Sequence, residues 1–196
     1  HIIDKLINLN HKVICIDNES SNNEKFFWNE KSDNHKLDIL NIDSIKFLFK
    51  NVDYVFHCAA ESRIVPAIEN PVNATKINVI GTCNVLQCAR EFDVKKVIYS
   101  STSSGYGNNE CPNVETQSDD CLNPYSVSKI AGEKLCKMYS DFFGLPTIVF
   151  RYFNVYGERA PQKGQYCPVI GIFLRQKKAG QQLTIVGNGT QRRDFV

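Results

Sequence analysis

The chain has 196 residues, of which 22% are charged, and a formal net charge of +2. This length suits one well-buried domain, or one domain with part of another. A nearly balanced charge without a basic run argues against a dedicated nucleic-acid binder, and no apolar stretch approaches the length of a membrane span. The eight cysteines follow no metal-ligand spacing, and the first residues show no signal-peptide pattern. We therefore expect free thiols in a reducing cytoplasm, and no metal site.

Apolar runs alternate with helical patterns along the chain, which is typical of a parallel sheet covered by helices on both faces. The predicted strands are 12–16, 36–37, 52–57, 95–101 and 146–152. The predicted helices are 2–9, 43–50, 71–92, 124–143 and 168–179. The pattern predicts an α/β fold, a Rossmann-like doubly wound parallel sheet, with a polar loop over 18–34.

The first predicted strand ends in Asp17 and Asn18. An acid at this place can accept hydrogen bonds from the hydroxyls of an adenosine ribose and would repel a 2′-phosphate, which favours NAD over NADP. The alternative is a simple turn, for which an Asp-Asn pair is well suited.

The strand over 95–101 ends in hydroxyl-bearing residues and leads into Thr102. In open parallel sheets, ligands bind at the carboxyl ends of the strands. We therefore expect the Thr102 hydroxyl at this edge, just before the helix over 124–143.

Tyr125 and Lys129 lie four residues apart in that helix, so they share one helix face. A free phenol has a pKa of about 10, and a fixed cation beside it would lower that pKa toward neutrality. The pair is then a candidate proton-transfer device. The alternative is an ordinary surface helix with a solvated lysine, because this spacing also arises by chance.

Six motifs occur in a consistent order. They read HCAA (57–60), NVIGT (78–82), SSTSSGYG (100–107), PYSVSK (124–129), RYFNVYG (151–157) and GNGTQRRDF (187–195). Together they resemble the extended short-chain dehydrogenase/reductase family. Within it, the resemblance is to the NAD-dependent nucleotide-sugar epimerases and dehydratases, of which UDP-glucose 4-epimerase is the best-known type.

The resemblance implies an NAD-binding Rossmann-like domain over 1–155 and the start of a smaller nucleotide-sugar-binding domain over 156–196. Members of the family open with a strand and a glycine-rich turn that hold the pyrophosphate. This sequence starts at His1, in what looks like the helix that follows that turn, and it stops at Val196 within the last motif. We therefore expect a fragment, incomplete at both ends, that binds a dinucleotide poorly and is inactive by itself.

The resemblance also implies roles for individual residues. The implied catalytic residues are Thr102, Tyr125 and Lys129. The implied NAD-binding residues are Asp17, Asn18, Asp38, Ile39, Cys58, Ala59, Ala60, Asn78, Ser100, Tyr125, Lys129 and Tyr152. The implied substrate-binding residues are Thr102, Tyr125, Asn154 and Arg193. Small residues at 58–60 also suit tight helix–strand packing, Asn78 also suits a helix cap, and Arg193 also suits a solvated surface.

Dehydratases of this group follow the active-site threonine with an Asp-Glu pair, whereas Thr102 is followed by Ser103 and Ser104. This departure favours epimerisation at C4 through a 4-keto intermediate, with UDP-glucose and UDP-galactose, or their N-acetyl forms, as the expected UDP-sugars. The alternatives are a nucleotide-sugar dehydratase, a reductase or an epimerase acting at another carbon. An alternative of another class is a non-catalytic Rossmann protein that senses dinucleotides. The resemblance further implies a homodimer. The cysteines predict a cytoplasmic location, and the charge and hydropathy predict that the protein binds neither nucleic acid nor a membrane.

Overall fold

The computed structural model describes residues 1–21, 27–160 and 167–196. These residues form two compact units, the first ending at Arg151 and the second running from Tyr152 to Val196. Within the described residues, none of the helices combines the length and the apolar character needed to cross a membrane.

The described residues contain five short strands, the last of which ends at Tyr152, next to the boundary between the units. They are β1 (Ile14–Asp17), β2 (Asp33–Lys36), β3 (Tyr54–His57), β4 (Lys96–Thr102) and β5 (Thr147–Tyr152). β1 pairs in parallel with β2, and β3 pairs in parallel with β4, which lies between β3 and β5. The second strand was predicted at 36–37, whereas β2 begins at Asp33. Most of it was missed because its Asp-Asn-His-Lys sequence has none of the β-branched or aromatic residues that are typical of strands. Of the loop predicted over 18–34, residues 22–26 lie outside the described residues.

Helices cover these strands. Those of the first unit are α1 (Ile2–Asn8), α2 (Ile42–Ile45), α3 (Ile64–Glu69), α4 (Pro71–Thr75), α5 (Thr82–Glu91) and α6 (Pro124–Phe143). The second unit contains α7 (Val169–Lys178). Short 3₁₀ turns occupy Lys46–Phe49 and Ser103–Tyr106. α3 was not predicted, because its six residues are too short to show a helical period.

The bounds of α6 follow from its terminal residues. The Asn123 side chain accepts a hydrogen bond from the Ser126 amide (2.9 Å), and Pro124 occupies the first helical position. Gly144 ends the helix in the left-handed region, at a φ of 69°. The 20-residue helix therefore begins and ends where the sequence predicted.

The helix predicted over 71–92 is interrupted by a π-helical segment, Lys76–Gly81, between α4 and α5. Asn78 lies in this segment and is 1% exposed. Single π turns inside helices are frequent at functional sites, and a buried amide needs partners. A buried amide in a π segment, such as that of Asn78, is therefore a feature expected near a functional site.

The core of the first unit packs α5 and α6 against the strands. Its fully buried members include Ile45, Leu86, Cys88, Ala89, Val97, Tyr99 and Cys136. Tyr99 lies directly under Gly132 of α6, where any side chain would overlap the tyrosine hydroxyl. All eight cysteines are free, as predicted. Two of them, Cys88 and Cys136, are fully buried, and the other six are partly or fully exposed.

Candidate functional site

Thr102 ends β4 and is 7% exposed. Its hydroxyl accepts a hydrogen bond from the Ser104 amide (3.1 Å), which starts the 3₁₀ turn after the strand. The threonine hydroxyl therefore lies at the carboxyl end of the strand, where the sequence predicted it.

Tyr125 is the second residue of α6, and its side chain lies beside that of Thr102. Burial raises the pKa of the Tyr125 phenol, the neighbouring Thr102 hydroxyl lowers it, and the negative charge of Glu61 raises it again. The net pKa lies above the ordinary value for tyrosine. In this state Tyr125 is a protonated hydrogen-bond donor at neutral pH.

Lys129 is 3% exposed, and its ammonium lies over the Tyr99 ring, 4.3 Å from the ring centroid. Burial lowers the pKa of Lys129 to about 8, against smaller opposite effects of Cys58, Cys136 and Glu133. The predicted lowering of the Tyr125 pKa by Lys129 is therefore not found here. The physical reason is that the ammonium contacts the ring of Tyr99 while burial dominates the phenol.

Asn78 is fully engaged by neighbouring groups. Its Oδ1 accepts from the Glu61 amide (2.8 Å), and its Nδ2 donates to the Glu61 carbonyl (3.0 Å) and to the Ser128 hydroxyl (2.9 Å). Ser128 in turn donates to the Tyr125 carbonyl (2.8 Å). Asn78 therefore connects the π segment, the segment after β3 and the first turns of α6, and this arrangement fixes the backbone beside Tyr125.

Asp17, Asn18 and Asp38 lie at the ends of β1 and β2. The Asn18 amide donates to Asp38 Oδ2 (2.9 Å), and Asp38 Oδ1 accepts from the Leu40 amide (2.8 Å). Asp17 Oδ1 accepts from the Glu19 amide (2.6 Å). Asp17 thus forms the turn that was the alternative reading, and the turn uses one of its two carboxylate oxygens.

Cys58 follows β3 and Ser100 lies near the end of the neighbouring β4, and Cys58 Sγ lies 3.4 Å from Ser100 Oγ. Cys58 and Ala59 are exposed and Ala60 is half-buried, so the backbone at this strand edge is accessible. Ile39 is different: it is 8% exposed and packs against Gly81, where a side chain would overlap its Cδ1. In this structure Ile39 belongs to the core, because helix packing at Gly81 takes up its side chain.

The second unit holds the other predicted contacts. Tyr152 is half-buried at the end of β5, whereas Asn154 and Arg193 are exposed. Asn154 forms an isolated parallel bridge with Phe195, and its side chain donates to the Asp194 carbonyl (2.9 Å). Within this unit the predicted sugar-diphosphate residues therefore lie on adjoining strand-like segments.

Sequence reasoning missed the charged residues that surround the strand end before Thr102. The Glu133 carboxylate accepts hydrogen bonds from the Ser101 hydroxyl and from Arg151 Nε (2.9 Å) and Nη2 (2.7 Å). Arg151 Nη2 also donates to Asp119 (2.5 Å), which pairs with Lys134 (2.8 Å). Glu133 could have been predicted as a neighbour of the site, because Tyr125, Lys129 and Glu133 are spaced four residues apart and therefore share one helix face.

His57 is 4% exposed, and its Nε2 lies 2.9 Å from the Thr82 hydroxyl. Burial and, secondarily, the charge of Lys129 lower the pKa of His57 to about 3. A neutral, packed imidazole at the end of β3 agrees with the absence of His57 from the predicted catalytic residues.

Comparison with known proteins matches residues 1–196 to the NAD dependent epimerase/dehydratase family. A protein of Methanocaldococcus jannaschii, provisionally named UDP-glucose 4-epimerase, is 39% identical over all of this chain and 65% of its own length. A UDP-N-acetyl-alpha-D-glucosaminuronate decarboxylase of Bacillus cytotoxicus is 34% identical over all of this chain and 63% of its own length.

Among solved structures, a UDP-glucose 4-epimerase of Thermotoga maritima with UDP-glucose superposes with a TM-score of 0.93 at 32% identity. The match covers 100% of this chain and 64% of that one. The chain thus spans less than two thirds of the length of these relatives.

Proposed function

Since the chain belongs to the NAD dependent epimerase/dehydratase family, we propose that the full-length protein interconverts epimers of a UDP-sugar at C4. Membership in this family confirms the predicted resemblance, and the structural likeness confirms the α/β Rossmann-like fold class. NAD, the predicted cofactor, is the one that the family description names.

One observation carries the proposal: the Tyr125 phenol and the Thr102 hydroxyl are neighbours, with buried Lys129 one turn further along α6. Two neighbouring hydroxyls can share one sugar oxygen, with Tyr125 exchanging its proton and Thr102 donating a hydrogen bond. Tyr125 can act as a base only if a positive charge approaches the phenol. The Lys129 ammonium, which lies over the Tyr99 ring in this structure, is the proposed source of that charge.

The donor and acceptor chemistry of the described residues fits NAD. Asp17 has a carboxylate oxygen to offer an adenosine ribose, and the Lys129 ammonium can donate to the nicotinamide ribose. The accessible backbone after Cys58 suits a close approach of the cofactor. When bound, NAD supplies a hydride acceptor that is regenerated, so that no net NAD is consumed.

The residues after Thr102 bear on the reaction. Ser103 and Ser104 form a 3₁₀ turn, and neither side chain has the acid strength or basicity that removal of water requires. An epimerase needs a single acid/base group, which Tyr125 supplies. The similarity to a decarboxylase keeps uronic acid sugars among the substrates to be tested.

In the second unit, Asn154 and Arg193 are proposed contacts of the sugar diphosphate. A guanidinium presents paired donors that suit a phosphate, and Arg193 is exposed. The division into an NAD-binding domain over 1–155 and a sugar-nucleotide domain from 156 onward is part of this proposal.

The test is incubation of the full-length protein with UDP-glucose, UDP-galactose, their N-acetyl forms and UDP-glucuronate, with products identified by NMR. We expect interconversion of C4 epimers without net formation of NADH. Exclusive formation of a 4-keto-6-deoxy sugar, or of a decarboxylated sugar, would contradict the proposal.

We also propose that the full-length protein is a homodimer. Several apolar residues of α5 and α6 belong to the protein's own core: Val85, Leu86 and Ile130 are buried, and Leu135 and Met138 pack against the core. The support comes instead from three other apolar residues, which are exposed by 64%, 52% and 54%: Val72, Ile80 and Val127. A monomeric mass in light scattering at micromolar concentration would contradict a dimer.

A further inference from the structure

One pair of charged residues contacts the chain on both sides of Thr102. On the strand side, the Ser101 hydroxyl donates to Glu133 Oε1. On the turn side, the Arg151 guanidinium lies over the ring of Tyr106, 4.7 Å from its centroid. Glu133 and Arg151 are themselves joined by three hydrogen bonds of 2.7–3.1 Å.

These contacts connect the elements that carry the candidate catalytic groups. Glu133 belongs to α6, one turn beyond Lys129, and Arg151 belongs to β5. The side chains of Arg151 and Glu133 are 14% and 12% exposed, so solvent screens the pair weakly. A bidentate guanidinium–carboxylate pair is also directional, and therefore sets orientation as well as distance.

We infer that Glu133 and Arg151 are positioning residues that hold the Thr102 hydroxyl in register with Tyr125. The activity assay of this inference rests on the proposed function, whereas the contacts that support it do not depend on that function. A shift of Thr102 by about 1 Å would be enough to cost roughly a hundredfold in rate. The pair therefore serves the site even though it touches neither substrate nor cofactor.

The phenol of Tyr125 reports on this positioning. The neighbouring Thr102 hydroxyl lowers the pKa of Tyr125, against burial and the charge of Glu61, which raise it. Lys129 lies on the same helix and Tyr99 beneath it, and a change at Ser101 removes neither. Loosening Thr102 should thus raise the pKa of Tyr125 and leave its other neighbours in place.

Ser101→Ala is the sharpest variant, because it removes the link from β4 and leaves Glu133 bonded to Arg151. In the full-length protein we expect kcat to fall roughly tenfold with KM nearly unchanged, and the rising limb of the pH–rate profile to move up by roughly half to one unit. Ser32→Ala is the matched control, since it removes a half-buried serine whose hydroxyl donates to Asn29 O (2.9 Å) and Asn34 Oδ1 (2.7 Å). It should leave kcat and the pH profile unchanged.

A second readout needs no substrate. The pKa of Tyr125 can be measured by NMR of ring-labelled tyrosine in the full-length protein, with Tyr125→Phe identifying the signal. Ser101→Ala and Glu133→Gln should each raise it, whereas Ser32→Ala should not. If no nucleotide sugar is converted but the pKa still shifts, the proposed function fails and the positioning role stands.

Asp119→Asn separates positioning from stability. It removes charge from the outer contacts of Arg151 and leaves Ser101 bonded to Glu133. We expect a lower melting temperature and an unchanged Tyr125 pKa. If Ser101→Ala and Glu133→Gln also lower only the melting temperature, the pair is purely structural and the inference is wrong. If Glu133→Gln does not fold, Ser101→Ala alone decides.

Discussion

The two compact units hold their candidate functional side chains in opposite ways. In the first unit Thr102 and Lys129 are buried, and Asn78 and Glu133 are hydrogen-bonded to backbone or side chains on several elements. In the second unit Asn154 and Arg193 are exposed, and their side chains donate hydrogen bonds to backbone carbonyls of that unit.

This difference has a functional consequence. Groups that move a proton must be placed within a fraction of an ångström, which a buried hydrogen-bonded network achieves before any ligand arrives. Groups that bind a charged diphosphate can be ordered by the ligand itself, at a cost in entropy. We therefore expect substitutions in the first unit to change turnover and those in the second to change substrate affinity.

The largest expected effect tests the first half of this comparison. Tyr125→Phe in the full-length protein should reduce turnover by roughly two to four orders of magnitude, because it removes the acid/base hydroxyl and keeps the packed ring. Bound NAD and nucleotide-sugar affinity should be retained, as measured by cofactor absorbance after denaturation and by calorimetry. Tyr139→Phe, which removes another hydroxyl from the same helix, is the control. Near-full activity of Tyr125→Phe would reject the proton-transfer role.

Lys129→Met distinguishes function from stability at one position. Turnover and NAD retention should both fall, the former by roughly a hundredfold, because the ammonium serves the phenol and the ribose. The free protein should become more stable by about 1–3 kcal/mol near pH 7, since burial lowers the pKa of Lys129 to about 8 and a buried charge is costly. The opposite result in urea unfolding, a clear loss of stability, would show that the contact with Tyr99 outweighs burial. Lys137→Met, at an exposed position of the same helix, should change stability by less than about 0.5 kcal/mol.

Asn78→Ala tests whether the network around Tyr125 is stabilising as well as functional. It leaves the Glu61 backbone and the Ser128 hydroxyl without their amide partner, which should lower the free energy of unfolding by about 2–4 kcal/mol. Asn73→Ala, at an exposed position of α4, should have a much smaller effect. Equal losses in urea denaturation would contradict the assigned role of Asn78.

The smallest expected effect concerns His57, whose pKa falls from 6.5 to about 3 on folding. Between these values the unfolded chain binds the proton and the folded chain does not, so this contribution is complete above pH 6.5 and is lost as the pH falls toward 3. Unfolding at about pH 5 should therefore need about 2 kcal/mol less than at neutral pH. His57→Gln should flatten this dependence in urea titrations at the two pH values. A wild-type protein whose stability does not change over this range would show that His57 is not held neutral.

Much of the fold could be predicted, because its signals are local. Asn123, Pro124 and Gly144 mark both ends of α6, and the apolar run before Thr102 marks β4. The strand at Asp33–Lys36 escaped prediction because it is polar, and the π segment around Asn78 because its sequence reads as continuous helix. Both depend on packing partners far away in the chain.

For the candidate site, too, some features follow from the sequence and others only from the tertiary structure. The spacing of Tyr125 and Lys129 and the place of Thr102 at a strand end follow from helix and strand geometry, so the sequence alone determined which side chains share an edge. The direction of the Lys129 ammonium toward Tyr99, the raised pKa of Tyr125 and the contact of Glu133 with Ser101 were decided only by the tertiary structure. The reason is physical: periodicity fixes which face of an element a residue occupies, whereas burial and charge contacts depend on what the other elements place against that face.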